Sequence, residues 1–246
     1  MEAAAQPPPP PPSAPAPRGI DVGRVVRESF SIYAENAAPL LITAFIVVLI
    51  AGLIQGLLSD GGIILQLIGT VVSLVATAIY TGFVVKLVAD VRDGSRDFSV
   101  GDLISSASPY IVPLIVNGVL RGIAIAIGLI LFIIPGLFLM TIWAVTSPAI
   151  VVEGEDGIGA FGRSSELTSG QRMNVFLTIL VVFLITFVVS FIVLAIGASI
   201  GTGALIALSI LVATITQPVA ALVASVLFFD LGGGVSSAGG QQVAEY

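Results

Sequence analysis

Arg121 is the one charged residue in the apolar stretch 111–152 of the sequence. Its guanidinium is permanently charged and carries several N–H donors in one plane, an arrangement suited to binding an anion. Asn117 lies four residues earlier and shares a face with Arg121 if this stretch is helical. Gln217 occupies a comparable place in a later uncharged stretch. We therefore predict a polar cluster of Asn117, Arg121 and Gln217 inside the apolar part of the chain.

The residue after Gln217 adds a backbone acceptor to this cluster. Pro218 has no N–H, so the Thr214 carbonyl one turn earlier lacks its helical donor. The cluster has two interpretations: it binds an anionic lipid headgroup or solute, or it is a polar clamp between helices. In either case Arg121 should face the protein interior or a wet cavity, because an isolated charge in an apolar medium is costly.

Other reactive chemistry is scarce. The sequence contains no His and no Cys, which excludes imidazole and thiolate metal ligands and nucleophile–His pairs. A polar connection carries Glu153, Glu155, Asp156 and Glu166 around Arg163. We interpret these carboxylates as helix caps and surface ion pairs, because a short segment offers no water-excluding pocket for acid–base catalysis. We predict no catalytic site, no metal and no cofactor.

The composition is that of an integral membrane protein. Of 246 residues, 57% are hydrophobic and 10% are charged, and the mean hydropathy is +1.12. Soluble proteins are about 25% charged. The net charge of −6 removes the basic surface that nucleic-acid binding requires, so no nucleic-acid partner is expected. The Asn117–Arg121–Gln217 cluster is therefore an intramembrane one.

Uncharged run lengths predict an all-α bundle of six transmembrane spans arranged as three hairpins. A span needs about 20 apolar residues. The stretches 111–152 and 173–229 are too long for one crossing, so we expect them to fold back at Pro135-Gly136 and within 197–203. The predicted membrane domain, 20–231, has spans at about 39–58, 64–87, 111–134, 136–152, 173–197 and 204–229.

The distribution of basic residues predicts the orientation. All Lys and Arg residues except Arg121 precede the first span, flank the second connection or lie in the fourth, so both termini should be cytoplasmic. The proline-rich tail 1–19 is expected to be disordered and the tail 232–246 to be flexible.

Two further patterns concern packing. Short amphipathic segments that begin near Val22, Val100 and Ile158 precede the three span pairs and predict interfacial helices, with Ser99 and Asp156 as caps for the last two. Small residues at Gly118, Gly122 and Ala126 form a stripe beside Arg121, which predicts close helix packing within the monomer, with dimerisation as the alternative.

A set of motifs in the middle of the chain carries a family resemblance. The residues are Ile134-Pro135-Gly136, Trp143, Pro148, Val151-Val152-Glu153, Gly157, Ala160-Phe161, Arg163-Ser164, Leu167 and Gly170. Their order resembles the membrane domain of glycerophosphoryl diester phosphodiesterases and its stand-alone bacterial relatives. The resemblance implies a six-span domain in a bacterial plasma membrane. It does not imply hydrolysis, since in that family catalysis belongs to a separate domain with histidines and metal-binding carboxylates, which this chain lacks.

We therefore expect a multi-pass protein of the bacterial plasma (inner) membrane that is not an enzyme. The predicted role is a membrane scaffold or lipid-interacting accessory protein. The alternative is a small-solute or lipid transporter that uses the polar cluster around Arg121. The expected partners are the lipid bilayer, anionic lipid headgroups or another membrane protein.

Overall fold

The protein is built from helices of very different lengths. The computed structural model describes residues 19–58, 62–94 and 99–234, and these contain no β-strand. The predicted tails lie outside the described residues, except Gly19 and 232–234. The helices are α1 (Val22–Glu35), α2 (Ala37–Leu58), α3 (Gly62–Asp93), α4 (Val100–Ala107), a 3₁₀ turn (Ser108–Tyr110), α5 (Ile111–Leu131), α6 (Ile133–Ile142), α7 (Thr146–Pro148), a π-helical turn (Ala149–Glu153), α8 (Gly159–Leu167), α9 (Arg172–Ile200) and α10 (Thr202–Asp230).

Six helical segments of the described chain are long and apolar enough to cross a membrane, which confirms the predicted all-α fold and agrees in number with the six predicted spans. They are Ala37–Leu58, Gly62–Asp93, Val100–Leu131, Ile133–Glu153, Arg172–Ile200 and Thr202–Asp230. Within the bundle α2 packs against α3, α5 against α6 and α9 against α10. α3 and α10 contribute large buried side chains to the core: Tyr80, Phe83, Leu87, Leu222 and Phe228.

The two predicted fold-back points differ in outcome. Gly201, with φ +138°, separates α9 from α10 as the glycine-rich stretch predicts. The other turn falls at Phe132, whose backbone is extended, and not at Pro135-Gly136. Proline is tolerated in the first turn of α6 because N–H groups there have no helical acceptor. Gly136 instead lies where the backbones of α5 and α6 approach closely. A Cβ added to Gly128 of α5 would lie only 3.0 Å from the Gly136 Cα in α6.

The fourth predicted span, 136–152, is a broken helix and not a continuous one. α6 ends at Ile142, and a turn precedes α7 and the π-helical turn. Pro148 cannot donate a helical hydrogen bond to the carbonyl one turn earlier, which favours a break here. Ser164 of α8 satisfies the freed backbone groups: its Oγ accepts from the Val145 N–H at 3.2 Å and donates to the Ile142 carbonyl at 2.8 Å.

The three predicted short helices are present as α1, α4 and α8. The Asp102 N–H donates to Ser99 Oγ at 3.1 Å, and the N–H groups of Ile158 and Gly159 donate to Asp156 Oδ1. These contacts confirm both predicted caps. α1 packs against α9 and α10.

Candidate functional site: the Arg121 cavity

Arg121 is a cation with neutral partners. Its Nη1 lies 3.1 Å from Thr146 Oγ1 and 3.4 Å from the Trp143 carbonyl oxygen, and donates to both. That carbonyl belongs to the turn between α6 and α7, where the helix is interrupted. No acidic side chain of the described residues forms an ion pair with Arg121. Within the described part of the chain, the charge of Arg121 is therefore uncompensated by an acidic side chain.

Arg121 lies in the wall of a cavity of about 740 Å³ lined by residues of α3, α5, α6, α7, α9 and α10. Cavities of about 300–1,000 Å³ are typical of small-molecule sites. Besides Arg121, the lining includes Gln217 and the hydroxyl-bearing residues Thr77, Thr81, Ser147, Thr186, Ser190 and Thr216. The remaining lining is apolar and includes Ile125, Met140 and Phe187. The cavity thus combines one positive charge, neutral hydrogen-bonding groups and apolar surface.

The predicted cluster residues occupy two places in the structure. Arg121 and Gln217 line the same cavity, whereas Asn117 does not. Asn117 is buried, and its Nδ2 donates to the Gly157 carbonyl at 3.0 Å, which fixes the connection before α8 against α5. Thr214 is buried too, and its hydroxyl donates to the Ile210 carbonyl within α10.

Other lining residues were not identified from the sequence as members of the site. Trp143, the one Trp of the chain, and Ser147 lie on either side of the break in the fourth segment. Thr77 and Thr81 lie four residues apart on α3, and Thr186 and Ser190 four residues apart on α9. Such spacing places each pair on one helix face. This recurrence of hydroxyls within apolar helices is the signal that could have identified them.

A second polar group, the α1 ion cluster, consists of Arg24, Glu28, Arg92 and Asp230. Arg24 forms two hydrogen bonds with Asp230, at 2.8 and 3.2 Å, and Arg92 lies 2.6 Å from Glu28 and 3.3 Å from Asp230. The hydrogen bonds with Asp230 raise the pKa of Arg24 above its ordinary value. Charges balance within the cluster, and its effect is to tie α1 to α3 and α10.

The acidic connection around α8 is also internally paired. Arg163 lies 2.7 and 2.9 Å from the two carboxylate oxygens of Glu153 and 3.2 Å from Glu166. The hydrogen bond with Glu153 raises the pKa of Arg163. The Gly234 N–H also donates to Glu153, which ties the end of the described chain to this connection. The predicted ion pairs of this segment are confirmed, and the described residues contain no group of three acidic side chains suited to a metal.

Comparisons with known proteins assign the chain to a family without a known activity. No curated protein and no solved structure matches the chain. A family model described as "Domain of unknown function (DUF7847)" matches residues 111–238, which include α5 to α10 and hence most of the cavity wall. Since this match extends over slightly more than half of the 246 residues, the chain belongs to the DUF7847 family.

Proposed function

We propose that the protein is a six-span, lipid-interacting accessory protein of the plasma membrane that binds an anionic headgroup in the Arg121 cavity and has no catalytic activity. The observation that carries the proposal is the unpaired charge of Arg121 in the wall of a hydroxyl-lined cavity. A charge in this position is costly unless it is paired or hydrated. An anionic ligand would supply the missing counter-charge.

The hydrogen bonds of Arg121 support this assignment. Both recorded bonds involve Nη1, so the N–H groups of Nε and Nη2 have no acceptor among the described residues. A guanidinium presents such donors in a fork that matches a phosphate or carboxylate. The bonds to Trp143 and Thr146 would hold the guanidinium in position before the ligand arrives.

The proposed membrane arrangement is three hairpins, α2–α3, α5–α6 and α9–α10, with both termini in the cytoplasm. It is supported by the positions of the basic residues: Arg24, Arg92 and Arg163 lie near one set of helix ends, whereas the turns at Phe132 and Gly201 carry no basic residue. The resemblance to the membrane domain of glycerophosphoryl diester phosphodiesterases supports the same arrangement and the bacterial plasma membrane as its location.

Trp143 provides a direct test, because the single Trp of the chain lines the cavity. The protein would be reconstituted into phosphatidylcholine vesicles that contain a fixed fraction of brominated phosphatidylglycerol or brominated phosphatidylcholine. Bromine quenches Trp fluorescence on contact. We expect stronger quenching by the anionic brominated lipid, and equal quenching by the two lipids would contradict the proposal.

Two variants of Arg121 and one control sharpen this test. Arg121→Gln should abolish the preference for the anionic lipid, whereas Arg121→Lys should retain part of it because the charge remains. Arg27→Gln is the matched control, since Arg27 is exposed on α1 and does not line the cavity. A preference that survives in Arg121→Gln, or disappears equally in Arg27→Gln, would overturn the proposal.

A transporter is the second candidate, and the broken fourth segment favours it. Transporters often bind substrates at discontinuous helices, and here the break at Trp143 lies at the cavity. The test is transbilayer movement of a fluorescent phosphatidylglycerol in proteoliposomes. Movement faster than in protein-free vesicles, lost in Arg121→Gln, would support a transporter over an accessory protein.

A further inference from the structure

Three phenylalanines form a stacked ladder along α9. Phe183, Phe187 and Phe191 are spaced four residues apart, with ring centroids 5.8 and 6.2 Å apart and planes inclined by 23° and 20°. Each is more than half exposed, at 55%, 54% and 65%. Four-residue spacing places the three rings on one face of the helix. The ladder is therefore a continuous aromatic surface outside the protein core.

This ladder is continuous with the Arg121 cavity. Phe183 and Phe187 belong to the cavity lining as well as to the exposed surface, and Phe191 extends the stack by one turn. Thr186 and Ser190, between the rings in the sequence, also line the cavity. The cavity thus reaches the outer surface of the bundle along α9, where its boundary is aromatic.

The lining changes in character along this route. At Arg121 a ligand meets a positive charge and hydroxyls, and at Phe183 and Phe187 it meets apolar rings. A small inorganic anion would use only the first part, and a hydrocarbon only the second. A molecule with a negatively charged head and an apolar chain matches both.

We infer that the ligand is an anionic acyl lipid whose phosphate binds Arg121 and whose acyl chain runs out of the cavity over Phe183, Phe187 and Phe191. This inference rests on the proposed function and names the ligand class of the same site. The lipid enters from the bilayer along α9, where the cavity reaches the outer surface of the bundle.

The test is a competition measurement on the wild-type protein. Brominated phosphatidylglycerol is first bound so that Trp143 fluorescence is quenched. Unbrominated phosphatidylglycerol, glycerol 3-phosphate or inorganic phosphate is then added. We expect the unbrominated lipid to restore fluorescence and the two chainless anions to have no effect at concentrations a hundredfold higher. Restoration by a chainless anion would overturn the inference while the anion site of the proposed function stands.

Variants of the ladder provide the second measurement. Phe183→Ala with Phe187→Ala should weaken binding of the brominated lipid several-fold, because each truncation removes apolar contact with the chain. Phe45→Ala is the matched control: this side chain on α2 is 47% exposed and does not line the cavity. Equal binding by the ladder variant and wild type, or equal weakening by Phe45→Ala, would overturn the inference. If both the ladder variant and Arg121→Gln keep the preference for the anionic lipid, the result counts against the proposed function itself.

Discussion

The hydroxyl of Tyr33 donates to the backbone carbonyl of Ile215 at 3.1 Å and so joins α1 to the middle of α10. At the other end of α1, Arg24 pairs with Asp230 at the end of α10. The two contacts hold α1 lengthwise against α10. Val25 and Ile32 on its apolar face are buried by protein, which distinguishes α1 from a purely interfacial helix.

Removing this hydroxyl should weaken the attachment of α1. Burial raises the pKa of the Tyr33 phenol above its ordinary value, about 10, so the group remains a donor at every physiological pH. Tyr33→Phe should lower the free energy of unfolding by about 1 kcal/mol, the net value of one hydrogen bond. Unfolding in mixed detergent–SDS micelles measures it. Tyr110→Phe is the control, because the Tyr110 hydroxyl has no hydrogen bond within the described chain. An equal loss of unfolding free energy in Tyr110→Phe would contradict the prediction.

The α1 ion cluster should depend on Asp230. Its side chain is only 5% exposed and accepts hydrogen bonds from both Arg24 and Arg92. Asp230→Asn removes the negative charge, and because the arginines are partly exposed and screened we expect a loss of about 1–2 kcal/mol. The neighbouring acid Asp93, exposed at the end of α3, gives the control Asp93→Asn, which should be near neutral. Limited proteolysis would show whether α1 becomes accessible.

Local patterns in the sequence predict the helices well but not where they break. Absence of charge sets the length of α9 and α10, and the glycine-rich stretch between them contains the observed turn at Gly201. The turn at Phe132 and the break after Ile142 could not be predicted from these local patterns. The Ile142 carbonyl at the break accepts a hydrogen bond from Ser164, which comes from another helix, and such long-range hydrogen bonds leave no trace in local periodicity.

The site was partly predictable for a similar reason. Arg121 and Gln217 are polar exceptions within apolar runs, and both line the cavity. Asn117 is the same kind of exception, but its partner is the backbone carbonyl of Gly157, and the side-chain pattern does not reveal backbone acceptors. The Trp143 carbonyl becomes an acceptor for Arg121 only because the helix is interrupted there.

The role of the glycines differs from the predicted small-residue stripe. A Cβ on Gly118 or Gly122 would meet no atom within 4 Å, so the prediction that this stripe packs within the monomer is wrong.

A Cβ on Gly136 would lie 2.8 Å from the Leu129 backbone nitrogen. Gly136→Ala should cost about 1–3 kcal/mol through overpacking of the α5–α6 hairpin. Gly122→Ala should be neutral or slightly stabilising; equal destabilisation by both, measured by thermal unfolding in detergent, would refute this.

Ser164 should be essential for the broken fourth segment. Ser164→Ala leaves the Val145 N–H without its side-chain acceptor and the Ile142 carbonyl with only the longer contact from the Thr168 hydroxyl, at 3.5 Å, at a cost of about 1–3 kcal/mol. Because Trp143 lies in the same turn, its fluorescence maximum should shift as well. Ser165→Ala, one residue further along α8, is the control, because the Ser165 hydroxyl has no hydrogen bond to another described residue. An unchanged spectrum and stability in Ser164→Ala would show that the turn does not depend on this hydroxyl.

Orientation can be tested by cysteine labelling, because the natural chain contains no Cys. Thr202→Cys and Ile134→Cys introduce exposed thiols beside the turns at Gly201 and Phe132, and Ser169→Cys introduces one in the connection before α9. A membrane-impermeant maleimide added to intact spheroplasts should label the first two and not the third. After lysis, Ser169→Cys should become labelled, which also shows that its thiol is reactive. Labelling of Ser169→Cys in intact spheroplasts, with protection of Thr202→Cys, would mean that the basic ends of the helices face outward, contrary to the charge distribution of the sequence.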